Sequence, residues 1–254
     1  MEITIYSILV LSLLFFLAGL VDSVAGGGGL VTVPTLLAFG VPPHATLGTS
    51  KFATTMGMVS SLWTFAHSRL IVTSIAPVGF IAALIGAVCG SNLTMVINSD
   101  MLGKILIFLL PVGMGISLLS SRFSRYTEEL PPRFLRTKTF AICLVIGMYS
   151  GFFGPGAGSF FILAQNIILR MGLVKASATT KVFTLASNCG ALATFAMGGV
   201  ILWSLGIPLA AASILGNIAG ARLAIRSGSR IIRIFLYITL SMLTLTLIHR
   251  FFLS

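Results

Sequence analysis

Two lysines stand inside apolar sequence, each directly behind a pair of small or hydroxyl residues. Lys51 closes Gly48-Thr49-Ser50-Lys51, and Lys181 closes Ala178-Thr179-Thr180-Lys181. A lysine within a bilayer costs roughly 2.5–3.5 kcal/mol on insertion scales, so two at matched places ask for a function. The sharper reading brings both ammonium groups onto one anion, with Thr49, Ser50, Thr179 and Thr180 as further donors. The plainer reading is snorkelling, since each lysine lies only a turn or two inside its segment.

Beside the lysines come two glycine-rich runs. The first is Asp22-Ser-Val-Ala-Gly26-Gly27-Gly28-Gly29, and the second is Gly151-Phe-Phe-Gly154-Pro155-Gly156-Ala157-Gly158. Glycine inside a helix costs about 1 kcal/mol relative to alanine, and Pro155 removes a helical hydrogen bond. Both runs therefore predict breaks. At membrane depth a break is tolerated only where the backbone is buried in protein or lines a polar cavity. The half-helix that follows each break turns its free N–H groups and positive dipole end toward the centre, an arrangement that suits an anion. Close helix packing is the competing reading of the glycines. Asp22 is the only acid inside an apolar segment, and its role stays open: proton or cation relay, fixed partner of a lysine, or cap of the break. Ser187 and Asn188 follow Lys181 by about two turns, placed to line the same cavity or to bond between helices.

Only a bilayer can position these residues. The chain has 254 residues, of which 57% are hydrophobic and 8% charged, with a mean hydropathy of +1.08. A soluble domain carries roughly 25% charged residues, so there is too little charge here to cover a water-facing surface. The net charge of +11 is concentrated at the ends of apolar segments. That distribution speaks for membrane orientation and contact with anionic lipid rather than nucleic acid. The first apolar stretch has no basic residue before it and no small-residue cleavage site, and reads as a retained segment. The three cysteines are isolated, with no metal or disulfide spacing. No phosphate loop, zinc helix or nucleophile elbow is present. With five acidic residues in all, carboxylate-pair catalysis has few candidates, so no cofactor and no enzymatic activity are expected.

Apolar segments run over approximately 3–24, 29–40, 47–66, 71–97 and 101–120, then 139–153, 157–170, 177–197, 203–223 and 231–252. The predicted fold is all-α, a polytopic transmembrane helical bundle. A spacing of roughly 130 residues aligns the second five segments with the first. Lys51 falls on Lys181, Gly86 and Gly90 on Gly216 and Gly220, and Gly26-Gly27-Gly28 on Gly156-Ala157-Gly158. The two glycine pairs read as close helix contacts, and Pro77 and Pro208 as bends. Repeat 1 then covers 1–121, a basic linker 122–138 and repeat 2 139–254. An odd number of crossings per half, one broken-helix hairpin plus three spans, segregates the charges best. It places Arg69, the linker, Arg170, Lys175 and Arg222 to Arg233 inside, and His44, Asp100, Lys104 and Arg250 outside. The repeats are thus expected to be inverted, with both termini outside.

The string from Asp22 through Gly26-Gly27-Gly28-Gly29 to Pro34, followed by Ala45-Thr-Leu-Gly-Thr-Ser-Lys51, resembles the TauE/SafE family of sulfite exporters, also called toluene sulfonate uptake permeases. Gly151 to Gly158 and Ala178-Thr-Thr-Lys181 resemble its second repeat, and the likeness runs nearly the whole chain, nearest to the YfcA-like bacterial branch. In some relatives an aspartate precedes the second glycine segment, where this chain has Ser150. The resemblance implies a bacterial inner-membrane secondary transporter of sulfite, sulfoacetate or other organosulfonates. It leaves open a coupling proton or cation and a homo-oligomer. A passive anion channel and a non-transporting membrane component are the alternatives. The expected substrate-binding set is Gly26, Gly27, Gly28, Gly29, Thr49, Ser50, Lys51, Gly154, Gly156, Gly158, Thr179, Thr180, Lys181 and Asn188, with Asp22 for ion coupling.

Overall fold

Apolar stretches punctuated by glycine and proline fold here as helices whose ends fall at the punctuation. The structure, a computed structural model, describes residues 5–106 and 132–252. The first half contains α1 (Ile5–Ala25), α2 (Gly29–Ala38), α3 (Pro43–His67) and α4 (Ala76–Val96), and residues 99–106 are again helical. The second half contains α5 (Pro132–Phe152), α6 (Ala157–Ile167), α7 (Leu173–Met197) and α8 (Trp203–Phe252). The protein is an all-α transmembrane bundle. Among the described residues, Tyr6–Ala25, Ala76–Val96 and Trp203–Ser227 are long and apolar enough to cross a membrane, while α2 and α6 are short apolar helices.

Several boundaries differ from expectation. Most of the segment at 101–120 and of the linker at 122–138 lies outside the described residues. From 132 onward the linker is already α5, whose first turns carry Arg133, Arg136 and Lys138. The expected gap between 203–223 and 231–252 is absent, and one helix of 50 residues runs through it. No proline stands there to block the helix, and Ser227, Gly228 and Ser229 lower its stability by only about 1 kcal/mol each at most. Pro77 does not bend α4. It sits in the first turn, where a missing N–H has no intrahelical partner to lose.

The backbone of the second half repeats the turns of the first. Gly40 and Arg170 both take positive φ (78° and 57°) and stand 130 residues apart, as do Arg69 and Gly199 (54° and 64°). Each lies in a helix-ending left-handed turn, the place glycine usually fills. The offset changes at the breaks. Gly26 and Gly154 share positive φ (74° and 94°), and α2 starts at Gly29 where α6 starts at Ala157. The first break therefore aligns two residues earlier than the sequence spacing of 130 implied, and Asp22 falls on Ser150.

Paired glycines let the long helices touch backbone to backbone. A Cβ on Gly90 of α4 would lie 2.7 Å from the Phe152 nitrogen of α5, and one on Gly220 of α8 would lie 3.0 Å from Leu20 Cα of α1. The neighbours of Gly86 and Gly90 advance along α5 from Met148 to Phe152, so α4 and α5 run parallel. Likewise α1 and α8 run parallel, with Gly216 beside Phe16 and Leu20, and Gly220 beside Leu20 and Ser23. Helix α3 also parallels α8, since Thr49 meets Leu202 and Ser60 meets Ile214. Helices α3 and α7 run in opposite directions, because Lys51 meets Asn188 whereas Phe65 meets Lys181.

Candidate functional site

At the two breaks the halves meet. Gly26 packs on Gly158 so closely that a Cβ on Gly158 would lie 2.6 Å from Gly26 Cα. The Ser159 amide donates to the Gly26 carbonyl (3.2 Å), and the Ser159 hydroxyl donates to the Ala25 carbonyl (2.7 Å). Ser177 of α7 adds a bond to the Val24 carbonyl (3.2 Å). Between the breaks lies a cavity of about 40 Å³, counted as space open to a water's centre. That is room for about three waters, or for one compact anion.

Of the residues expected to bind substrate, Gly26, Gly29, Ser50, Lys51, Gly154, Gly158 and Asn188 line this cavity, and so does Asp22. Lys51 is 7% exposed. Its ammonium donates to Asn188 Oδ1 (2.8 Å) and to Ser150 Oγ (3.2 Å). Ser150 in turn exchanges a hydrogen bond with Ser187 (3.0 Å), which also bonds the Thr184 carbonyl (3.1 Å). Two of the three N–H groups of Lys51 are thus held by neutral oxygens, and its charge remains available beside the cavity.

The other expected residues are placed elsewhere. Lys181 is fully buried and does not line the cavity. Its ammonium donates to the main-chain carbonyl of Asp22 (2.8 Å) and lies 5.9 Å from the centre of the Phe65 ring. The lysines therefore do not converge as an equivalent pair. Thr49 and Thr179 lie two residues before each lysine, about 200° around the helix, and face a neighbouring element instead. Thr49 accepts from the Leu202 amide, and Thr179 from the Val72 amide, each at 3.0 Å. Leu202 and Val72 stand 130 residues apart, so this is one tether made twice. Thr180 accepts from Gln165 Nε2 (2.6 Å). Gly27, Gly28 and Gly156 shape the breaks without lining the cavity.

Of the three roles left open for Asp22, the cap has a visible bond. Its Oδ1 accepts from the Gly28 amide (3.1 Å) at the start of α2. The half-helix amides are thereby partly committed to the protein: Gly28 to Asp22, Ala157 to the Gly154 carbonyl, and Ser159 to Gly26. Charge at this site comes from Lys51, with Lys181 behind it and Asp22 opposing, rather than from free helix ends alone.

Three polar cavity residues were not anticipated as binding residues: Thr54, Thr184 and Ser150. The threonines carried a signal. Lys51-Phe-Ala-Thr54 and Lys181-Val-Phe-Thr184 are the same spacing in each half, and residues three apart share a helix face. Ser150 was marked by the family resemblance only as the place of an aspartate in some relatives, and it pairs with Asp22 once the break is aligned at its true offset.

A family model described as sulfite exporter TauE/SafE matches residues 11–247 of the chain. A Sinorhizobium protein named probable membrane transporter protein ORF9 is 35% identical over 222 residues, covering 86% of this chain and 83% of its own. The probable membrane transporter protein YfcA of Escherichia coli is 33% identical over 247 residues, 95% of this chain and 90% of its own. A probable membrane transporter protein of Haemophilus influenzae is 34% identical over 253 residues, 98% of this chain and 97% of its own.

Proposed function

This chain belongs to the sulfite exporter TauE/SafE family, and from that membership we propose that it is a secondary transporter of small sulfur-containing anions, sulfite first among them. The relatives it matches are named as membrane transporters of bacteria, and the chain is a multi-pass inner-membrane protein of that kind. The observation that carries the reading is Lys51, a buried cation beside a small cavity where two helix breaks meet. With all three groups ionised, Lys51 and Lys181 against Asp22 leave the centre net positive, which favours an anion. The cavity accommodates a compact ion of four or five heavy atoms.

The proposed mechanism is alternating access. Helices α1, α3 and α8 share one direction. Helix α7 opposes α3, and α5 goes with α7 because both run parallel to α4: Gly190 of α7 lies beside Leu84 and Val88, and Thr194 bonds Ser91. Placing repeat 1 at 1–121 and repeat 2 at 139–254 then sets α1 and α3 against their counterparts α5 and α7. That supports an inverted pair of repeats rocking about the cavity. In this reading Lys51, Asn188 and Ser150 hold the anion. Lys181 holds the first break in shape through the Asp22 carbonyl and adds a field from behind.

The test is thermal stabilisation of the purified protein by sulfite, sulfate, sulfoacetate and carboxylates, with Lys51→Ala beside it. Sulfite is expected to raise the melting temperature of the wild type and not of Lys51→Ala. An equal response in Lys51→Ala would remove the site. In proteoliposomes, saturable sulfite flux with counterflow supports a carrier, and linear flux without counterflow supports a passive channel instead.

A further inference from the structure

Among the described residues, four buried side-chain atoms have no hydrogen-bond partner, and Thr184 Oγ1 is one of them. The others belong to Gln165, Asn166 and Asn217, none of which lines the cavity. Thr184 does line it, and is 6% exposed.

A threonine in a helix has an easy way to satisfy its hydroxyl, which is to bond back to the preceding turn. The counterpart Thr54 does this, donating to the Ser50 carbonyl (2.8 Å) and within reach of the Lys51 carbonyl (3.3 Å). Other hydroxyls of α7 are also engaged: Ser177 with Val24, Thr179 with Val72, Thr180 with Gln165, and Ser187 with the Thr184 carbonyl. Thr184 is held without such a bond at the cavity wall, on the turn of α7 just before Asn188, which binds Lys51. A buried hydroxyl left unmade is unfavourable, and a partner that arrives with the substrate would recover that energy.

We propose that Thr184 is a substrate-binding and specificity-determining residue, whose hydroxyl donates a hydrogen bond to one oxygen of a compact oxyanion held against Lys51. The inference rests on the reading of this cavity as the anion site. Lys51 supplies charge, which any small anion satisfies. Thr184 supplies a directional donor, which rewards an anion that presents a second oxygen.

Sodium sulfite is the probe, titrated against melting temperature in wild type, Thr184→Val and Thr184→Ser. Thr184→Val keeps the shape and removes the hydroxyl, so without sulfite its melting temperature is expected to equal or exceed the wild type's. Its sulfite midpoint is expected to rise about tenfold to a hundredfold, the range for a lost hydrogen bond to a charged group. Thr184→Ser is expected to stay close to wild type. A lower melting temperature of Thr184→Val without sulfite would assign the hydroxyl to the fold and overturn the proposal. An unchanged sulfite midpoint in Thr184→Val, beside a responsive wild type, would overturn it while leaving Lys51 in place. A wild type that does not respond to sulfite at all would remove the anion site and this proposal together.

Discussion

Lys51 and Lys181 occupy equivalent places in the two halves, yet they meet different surroundings. Lys51 is held by two side chains, Asn188 and Ser150, at the wall of a cavity. Lys181 is fully enclosed and held by a main-chain carbonyl at the first break. Two substitutions between the halves separate them. Asp22 stands where the second half has Ser150, and Met58 stands where it has Asn188. The lesson is that a repeat can keep a costly residue twice in two different settings, one copy at the wall of a cavity and the other enclosed against a break. Near-symmetry supplies matching helices, and a few unmatched side chains decide which side of the centre opens.

The strongest way to break this comparison is at the junction both lysines flank. Gly26→Ala puts a Cβ into Gly158 on backbone at positive φ. It is expected to cost about 3 kcal/mol or more and to abolish folded protein in size-exclusion chromatography of detergent extracts. Full yield and a wild-type melting temperature would show that the breaks tolerate separation.

Next in size is Lys181→Met, which leaves the Asp22 carbonyl without its buried donor. A loss of about 2 kcal/mol is expected, read as a lowered melting temperature, against a smaller loss for Lys51→Met. If the two variants lose equal stability, the division of roles fails. Asn188→Met makes the surroundings of Lys51 resemble the first half, where Met58 holds the equivalent place. Sulfite affinity is expected to fall about tenfold as Lys51 loses its shortest side-chain acceptor, and isothermal titration reads the change.

The smallest expected effect sharpens the role of Asp22. Asp22→Asn keeps an oxygen for the Gly28 amide, so stability should move by less than about 1 kcal/mol, whereas Asp22→Ala should lose about 1–2 kcal/mol with the cap. Flux driven by a proton gradient, measured in Asp22→Asn, separates capping from coupling. Retained gradient dependence rules out Asp22 as the relay.

Much of the architecture was legible in the sequence. Glycine runs and Pro155 marked the breaks because no helix passes comfortably through them, and the matched lysines and Gly-x-x-x-Gly pairs marked the repeat. Where a break lies in sequence does not say which residues it brings together, so the offset of two residues at Gly26 and Gly154, and with it the pairing of Ser150 with Asp22, is not legible there. The absence of a gap near Ser227 also escaped, because weak helix formers lower stability without forbidding a helix.

By itself the sequence determined the solvent and the element type. Composition leaves only a bilayer, and in a bilayer continuous apolar runs must satisfy their own backbone as helices. It also determined that two lysines stand within apolar segments. Only the tertiary structure decided which of them faces a cavity, because burial and hydrogen-bond partners are set by neighbours brought from more than a hundred residues away. Thr184 makes the same point: its spacing from Lys181 is local, but its place at a cavity wall depends on residues brought from both halves of the chain.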